Sequence, residues 1–338
     1  MQQEEERLQP VLSAAVRERP LRDRVGVTIL ANQATGDILA AIREAEQAGV
    51  QQVWVGDMGW ANYADTLTIF AAAATQTERI RLGTSIVAAY PRHPLVMARQ
   101  TLALHDLAPG RVRLGIGPGG RAVIEDWHGL SQTAPRSYLK EYVEVLRGLL
   151  WEGATSYQGR FFKGMFPSTR TVRVPLLISA LGAKGFRLAG EIADGALSYL
   201  CPVPYLQQIA LPALRAGAEA KSRPVPPIAA HLLVALSTNE ATVLASARQQ
   251  IYFVAQSFEQ YARLFAQIGW PEAVNGDEAQ LDVLARSIVI SGDEASICSR
   301  VRELVTSGLD ELQLQLLPIA NEARERKQLL QLIGSLEA

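Results

Sequence analysis

Residues 80–120 read IRLGTSIVAAYPRHPLVMARQTLALHDLAPGRVRLGIGPGG. The stretch opens on a short, mostly apolar run, Ile80 to Val87, that reads as a strand. Pro94 then starts a helix that runs to about Leu107, because proline is well tolerated in a helix's first turn. Arg111 to Ile116 is the next strand, and it runs straight into a glycine loop. A strand, a helix of 10–15 residues and another strand make one unit of a parallel sheet.

The same unit recurs on both sides. Toward the N-terminus lie the strands Val25 to Leu30 and Val53 to Val55. Thr35 or Asp37 can cap the helix between them, Ile38, Ile42 and Ala45 form its apolar stripe, and Gly49 ends it. Thr66 to Thr75 reads as an Ala-rich helix. Toward the C-terminus come a helix over Tyr138 to Trp151, a strand over Val174 to Ser179 and a helix over Ala183 to Ile192. Strands follow at Gly195 to Leu200, Ile228 to Leu236 and Leu312 to Leu317, and the last helix covers about Glu322 to Leu336. Eight such strands predict an α/β fold, a TIM (β/α)8 barrel, in a single domain over 23–338. A doubly wound open sheet is the alternative, but no GxGxxG follows the first strand. Residues 152–173 and 237–292 interrupt the rhythm and are expected as insertions over the C-terminal mouth. Residues 1–22, charged and carrying Pro10 and Pro20, read as an N-terminal arm.

Composition narrows the function. The 338 residues are 48% hydrophobic and 20% charged, with a formal net charge of −1, so the chain can bury a large core. That balance gives no case for nucleic acid or an anionic membrane as partner. Two cysteines, Cys201 and Cys298, make neither a disulfide framework nor a metal site, and no metal is expected. No run approaches 18 apolar residues, and MQQEEERLQP lacks the apolar stretch of a secretory signal, so a cytoplasmic location is expected.

Two glycine-rich loops end strands. Gly115 to Gly120 (GIGPGG) allows a ligand close to the backbone, or serves as a tight turn. Ile178 to Gly185 (ISALGAKG) opens a helix whose free N–H groups suit a phosphate, with Lys184 adding charge, or it is a glycine-eased turn. Together they point to a phosphate-bearing cofactor. Asp57 ends the second strand, as a mouth carboxylate or a turn cap. His93 reads as a helix cap, and His105, His128 and His231 as structural. Cys201 reads as an unreactive thiol. No GxSxG, HExxH, P-loop or paired-carboxylate motif names a reaction.

In order along the chain, several motifs resemble the bacterial luciferase-like superfamily. They are Val53 to Asp57 (VWVGD), Arg79 to Ser85 (RIRLGTS), Arg92-His93-Pro94, Gly110 to Gly119 (GRVRLGIGPG), Tyr157 to Phe162 (YQGRFF), Ala180 to Lys184 (ALGAK) and Leu188 to Gly195 (LAGEIADG). The likeness covers roughly residues 25–200. It implies a barrel that binds the deazaflavin coenzyme F-420, or alternatively FMN, at its C-terminal mouth. The LGIGPG version is most similar to the branch of the methylenetetrahydromethanopterin reductases. That branch carries a non-proline cis peptide in its third strand, which matches Ser85–Ile86 here. The resemblance places Gly117, Pro118 and Gly119 beside the cofactor ring or its side chain, and Ser179, Ala180, Leu181, Gly182, Ala183 and Lys184 around its phosphate. Asp57, Asn62, Tyr63 and Arg121 are expected to line the substrate pocket. Two departures stand out. Asp57-Met58 replaces the Asp-His pair of some family dehydrogenases, so that histidine's proton-transfer role is lost; the catalytic residue is left open, with Asp57 as a candidate. Thr28 and Gly120 stand where family reductases place acids. The expected activity is hydride transfer between F-420 and a small organic substrate by a homodimer. An FMN-dependent monooxygenase and a flavin-binding relative without turnover are the alternatives.

Overall fold

The computed structural model describes residues 14–57, 64–167 and 170–337. Eight strand positions close into a parallel barrel. They are β1 (Val25–Leu30), β2 (Gln52–Gly56), β3 (Arg81–Thr84) continued by β4 (Val87–Ala88), β5 (Val112–Gly117), β8 (Leu176–Ser179), β9 (Gly195–Ser198), β10 (Ile228–Ala235) and β12 (Glu311–Leu316). Pairing of β9 with β10 and of β12 with β1 completes the ring. The helices α1 (Thr35–Gln47), α2 (Thr66–Ala74), α3 (Pro94–Leu107), α4 (Pro135–Arg147), α5 (Ala183–Ile192), α6 (Leu211–Glu219), α7 (Glu240–Ser257), α8 (Glu259–Gln267), α9 (Glu278–Ile288), α10 (Glu294–Thr306) and α11 (Glu322–Gly334) surround it.

Four features differ from the sequence reading. The third strand is split: β3 pairs with β2 and β5, whereas β4 pairs with β5 only, and the cis peptide Ser85–Ile86 lies between them. The 152–173 insertion contains an antiparallel hairpin, β6 (Ala154–Gln158) with β7 (Lys163–Pro167). The 237–292 insertion is helical but ends in a ninth parallel strand, β11 (Val289–Ser291), too short to show a period. It pairs with the C-terminal half of β10, beyond the point where β9 stops. Residues 14–22, read from the sequence as part of an arm, lie against the barrel's N-terminal end. Val16 is buried, and Arg17 Nε donates to Asp310 Oδ1 at 2.6 Å.

Alternation along the strands makes two cores. Outward residues such as Val25, Val27, Leu312 and Leu314 join the large apolar layer under the helices. Inward residues fill the barrel. Toward its N-terminal end, Arg113 holds Glu311 through two contacts of 2.5 and 2.7 Å and donates to Gln52 Oε1 at 2.7 Å. The same guanidinium lies 4.7 Å from the centre of the Trp54 ring. Trp54, Leu177, Leu197 and Ala229 form the next layer, with Ile86 packed against it from the mouth side. Trp54 fits because its register partner is Gly83, where any Cβ would overlap the indole.

Candidate active site

The mouth is where inward side chains stop being sealed. Thr28, Gly56, Ser85, Ile86, Ser179 and Tyr199 are each partly open. Below it, Thr84 Oγ1 donates to Gly115 O and accepts from Gly115 N, both at 2.7 Å, which ties β3 to β5 just ahead of the cis peptide. The Asp57 N–H donates to Ile86 O at 2.8 Å. A Cβ on Gly117 would overlap Ser179 Oγ and lie 2.7 Å from Ile86 Cδ1. Gly117 is thus the point where the third, fourth and fifth strand positions converge. Gln132 Nε2 donates to Pro118 O at 2.9 Å and to Gly119 O at 3.1 Å, and Gly119 has φ +78°, so the glycine loop is held in one shape.

The second loop leaves β8 through Ser179 and Ala180, whose N–H donates to Leu197 O at 2.9 Å. Gly182 is the N-cap of α5, and no side chain caps that helix. A Cβ on Gly182 would meet nothing within 4 Å, and Ala183 and Lys184 are exposed. An uncapped helix start with open space before it is suited to an anion. The residues expected to hold a cofactor therefore form two adjoining walls. Ser85, Ile86, Gly117, Pro118 and Gly119 make one, and Ser179 to Lys184 make the other. The arrangement fits a planar group carrying a phosphate.

Of the residues expected at the substrate, Asp57 accepts from Arg92 Nη1 at 3.0 Å, and Arg92 Nη2 also pairs with Asp65. This ion cluster follows from the strand-three loop folding back over the end of β2. Hydrogen bonds from Thr68 and the charge of Arg92 overcome burial and hold Asp65 below the usual carboxylate range. Arg121 lies on the turn after the glycine loop, paired with Glu125 at 2.8 Å. It lines a cleft of about 310 Å³ with Phe258 and Glu259, where α7 meets α8. Asn62 and Tyr63 lie outside the described residues. His93 is a helix cap, its Nδ1 accepting from Leu95 N at 3.2 Å. Cys201 is buried, and burial pushes its thiol up to about 12, so it is not a nucleophile at neutral pH.

The strands also bring together a polar group that the sequence did not single out for the site. His231 Nε2 lies 3.1 Å from Gln315 Oε1, and the His231 ring lies 4.4 Å from that of Tyr199. Burial pulls His231 down to about 4, so the ring is neutral near pH 7. The signal was the alternation ELQLQL over residues 311–316, which points three polar side chains into a barrel.

The profile of the luciferase-like monooxygenases matches residues 21–311. The chain belongs to the luciferase-like monooxygenase family. A 5,10-methylenetetrahydromethanopterin reductase from Methanolobus tindarius is 30% identical over 216 residues. That match covers 62% of this chain and 64% of the reductase, less than two thirds of its length. The coenzyme F-420-dependent tetrahydromethanopterin reductase of Methanopyrus kandleri superposes with a TM-score of 0.74 at 22% identity, covering 93% of this chain and 98% of that one. An EDTA monooxygenase from Chelativorans superposes with a TM-score of 0.73 at 14% identity, covering 93% of each. At these identities the two structures speak for the fold. Among the described residues, no helix is long and apolar enough to cross a membrane.

Proposed function

We propose that this luciferase-like oxidoreductase transfers hydride between the deazaflavin coenzyme F-420 and a small organic substrate. One observation carries the reading: Ile86, Gly117 and Ser179 converge beside the open start of α5 at Gly182, at one end of the barrel. The reductase relative and the F-420-dependent structural neighbour support the choice of coenzyme. When bound, the deazaflavin supplies the hydride donor or acceptor. The chain's own residues hold and shelter. Ile86 and Gly117 provide a surface against which a flat ring rests, and the N–H groups at the start of α5 receive the phosphate. Arg92 fixes Asp57 at the rim as an oriented acceptor. The 237–292 insertion reaches the glycine loop through Phe258, whose ring a Cβ on Gly120 would approach to 2.9 Å. FMN-dependent monooxygenation is the second reading, supported by the monooxygenase neighbour.

The test is a fluorescence titration of the apo-protein with F-420 and with FMN. Tight binding of F-420 alone supports the first reading. Preference for FMN, with oxygen uptake, selects the second, and binding of neither by folded protein overturns both. Gly182→Asp is expected to weaken the preferred cofactor at least tenfold while the melting temperature holds. Like charges about 4 Å apart near a protein surface repel by about 4 kcal/mol, and the new side chain has open space. Unchanged affinity would remove the α5 loop from the site.

A further inference from the structure

The floor of the mouth carries a hydrogen-bond donor with no partner among the described residues. Along β12 the inward positions are Glu311, Gln313 and Gln315, and Gln315 is the one nearest the C-terminal end. Its Oε1 faces His231 Nε2 at 3.1 Å. The amide is planar, so an oxygen turned toward His231 turns the NH2 group away from it. The buried Nδ1 of His231 has no partner, which leaves Nε2 as the ring nitrogen that bonds to Gln315. Tyr199 packs on the same ring, and its carbonyl accepts from Tyr261 O–H at 2.6 Å, so the imidazole is held on its other side. Gln315 Nε2 makes no hydrogen bond among the described residues and is not among the sealed polar atoms. It therefore reaches the open mouth. Across the sheet its register partner is Thr28, whose Oγ1 is sealed by its neighbours and also without a partner. The Gln315 amide, unbonded among the described residues, is placed to donate to an acceptor from outside the chain.

We infer that Gln315 is a ligand-binding residue, its side-chain amide donating to a carbonyl oxygen of the bound ring cofactor, with His231 as the positioning residue behind it. This rests on the cofactor reading above. The pyrimidine-dione edge common to flavins and deazaflavins presents such carbonyl oxygens, so the same donor serves either cofactor.

The experiment measures the dissociation constants of F-420 and FMN, and the absorbance of the bound ring, for the full-length protein and four variants. Gln315→Met keeps the length and removes the donor. It is expected to weaken the cofactor that the wild type binds by about tenfold, equivalent to 1.4 kcal/mol, and to shift the ring absorbance. Gln315→Glu, which keeps the shape but puts oxygen where NH2 stood, should weaken it at least as much. His231→Phe should weaken it three- to tenfold, and His231→Gln, which can again offer an N–H to Gln315, should recover most of the loss. A merely structural role would not produce that recovery or move the ring spectrum. If Gln315→Met melts early, Gln315→Glu decides. Affinity and spectrum unchanged in a folded Gln315 variant overturn the inference and leave the cofactor reading standing. A wild type that binds neither cofactor overturns both.

Discussion

Arg92 shows how much of this site depends on single side chains. It is the shared cation of Asp57 and Asp65, and its side chain is 18% exposed. Arg92→Met removes the cation that Asp57 and Asp65 share. A loss of about 1–3 kcal/mol is expected in urea melts at pH 7, the range for hydrogen bonds to charged groups left unmade. The pH dependence has a definite sign. The Asp65 pKa is depressed in the fold, so its contribution is complete above its unfolded value of about 3.9 and is lost as pH falls through the lower folded value. Melts at pH 7 and pH 3 should therefore show a smaller acid loss for Arg92→Met than for the wild type. Gly117 is the second sensitive position. Gly117→Ala drives a methyl group into Ser179 Oγ and Ile86, and should cost about 1–3 kcal/mol and weaken cofactor binding together. A variant with normal stability and normal affinity would show that the two walls do not meet there. At this scale the glycines were legible because their conformational role is local, as was the cap at His93. Gln315 was not, because what makes it functional is an imidazole 84 positions away in the chain.

Among the elements, the turn of the β6–β7 hairpin is tied to α4 by one carboxylate. Glu141 of α4 accepts from the N–H groups of Arg160, Phe161 and Phe162 at 2.9, 2.8 and 3.2 Å. The turn between β6 and β7 is otherwise bonded to itself only by Gly159 N to Phe162 O at 2.9 Å. Tyr138 then packs edge-on against Phe161, with ring centres 5.2 Å apart, and stacks on Tyr90 at 4.0 Å. Glu141→Ala should expose the amides of residues 160–162 to hydrogen exchange while the barrel strands keep their protection. Equal loss across the barrel would mean that the hairpin and the barrel open as one unit. The helices and all eight barrel strand positions were readable from the sequence, since short apolar runs alternate with helices long enough to show a face. The split of the third strand and the existence of β11 were not. A strand of two or three residues has no period, and what defines it is the neighbour that pairs with it.

For the molecule as a whole, the buried pair Arg113–Glu311 joins β5 to β12 across the barrel interior. Burial alone would raise the Glu311 carboxyl, but the charge and hydrogen bonds of Arg113 hold it low. Glu311→Gln leaves Arg113 and the nearby Arg81 without a buried counter-charge, and should cost about 3–5 kcal/mol at pH 7. Since the folded pKa is depressed, the pair's contribution is intact above about pH 4.3 and fades as pH falls through the folded value. The gap between wild type and variant should accordingly narrow between pH 5 and pH 2. A constant gap would place the cost in packing rather than charge. By itself the sequence determined that strands and helices alternate, that eight strands make a barrel, and where two glycine loops break it, because propensity, periodicity and glycine's freedom act over a few residues. Only the tertiary structure decided that Arg92 binds Asp57, that Arg113 meets Glu311, and that His231 meets Gln315. Each of those pairings is a contact between distant strands or loops, set when the ring closes and brings their inward faces together.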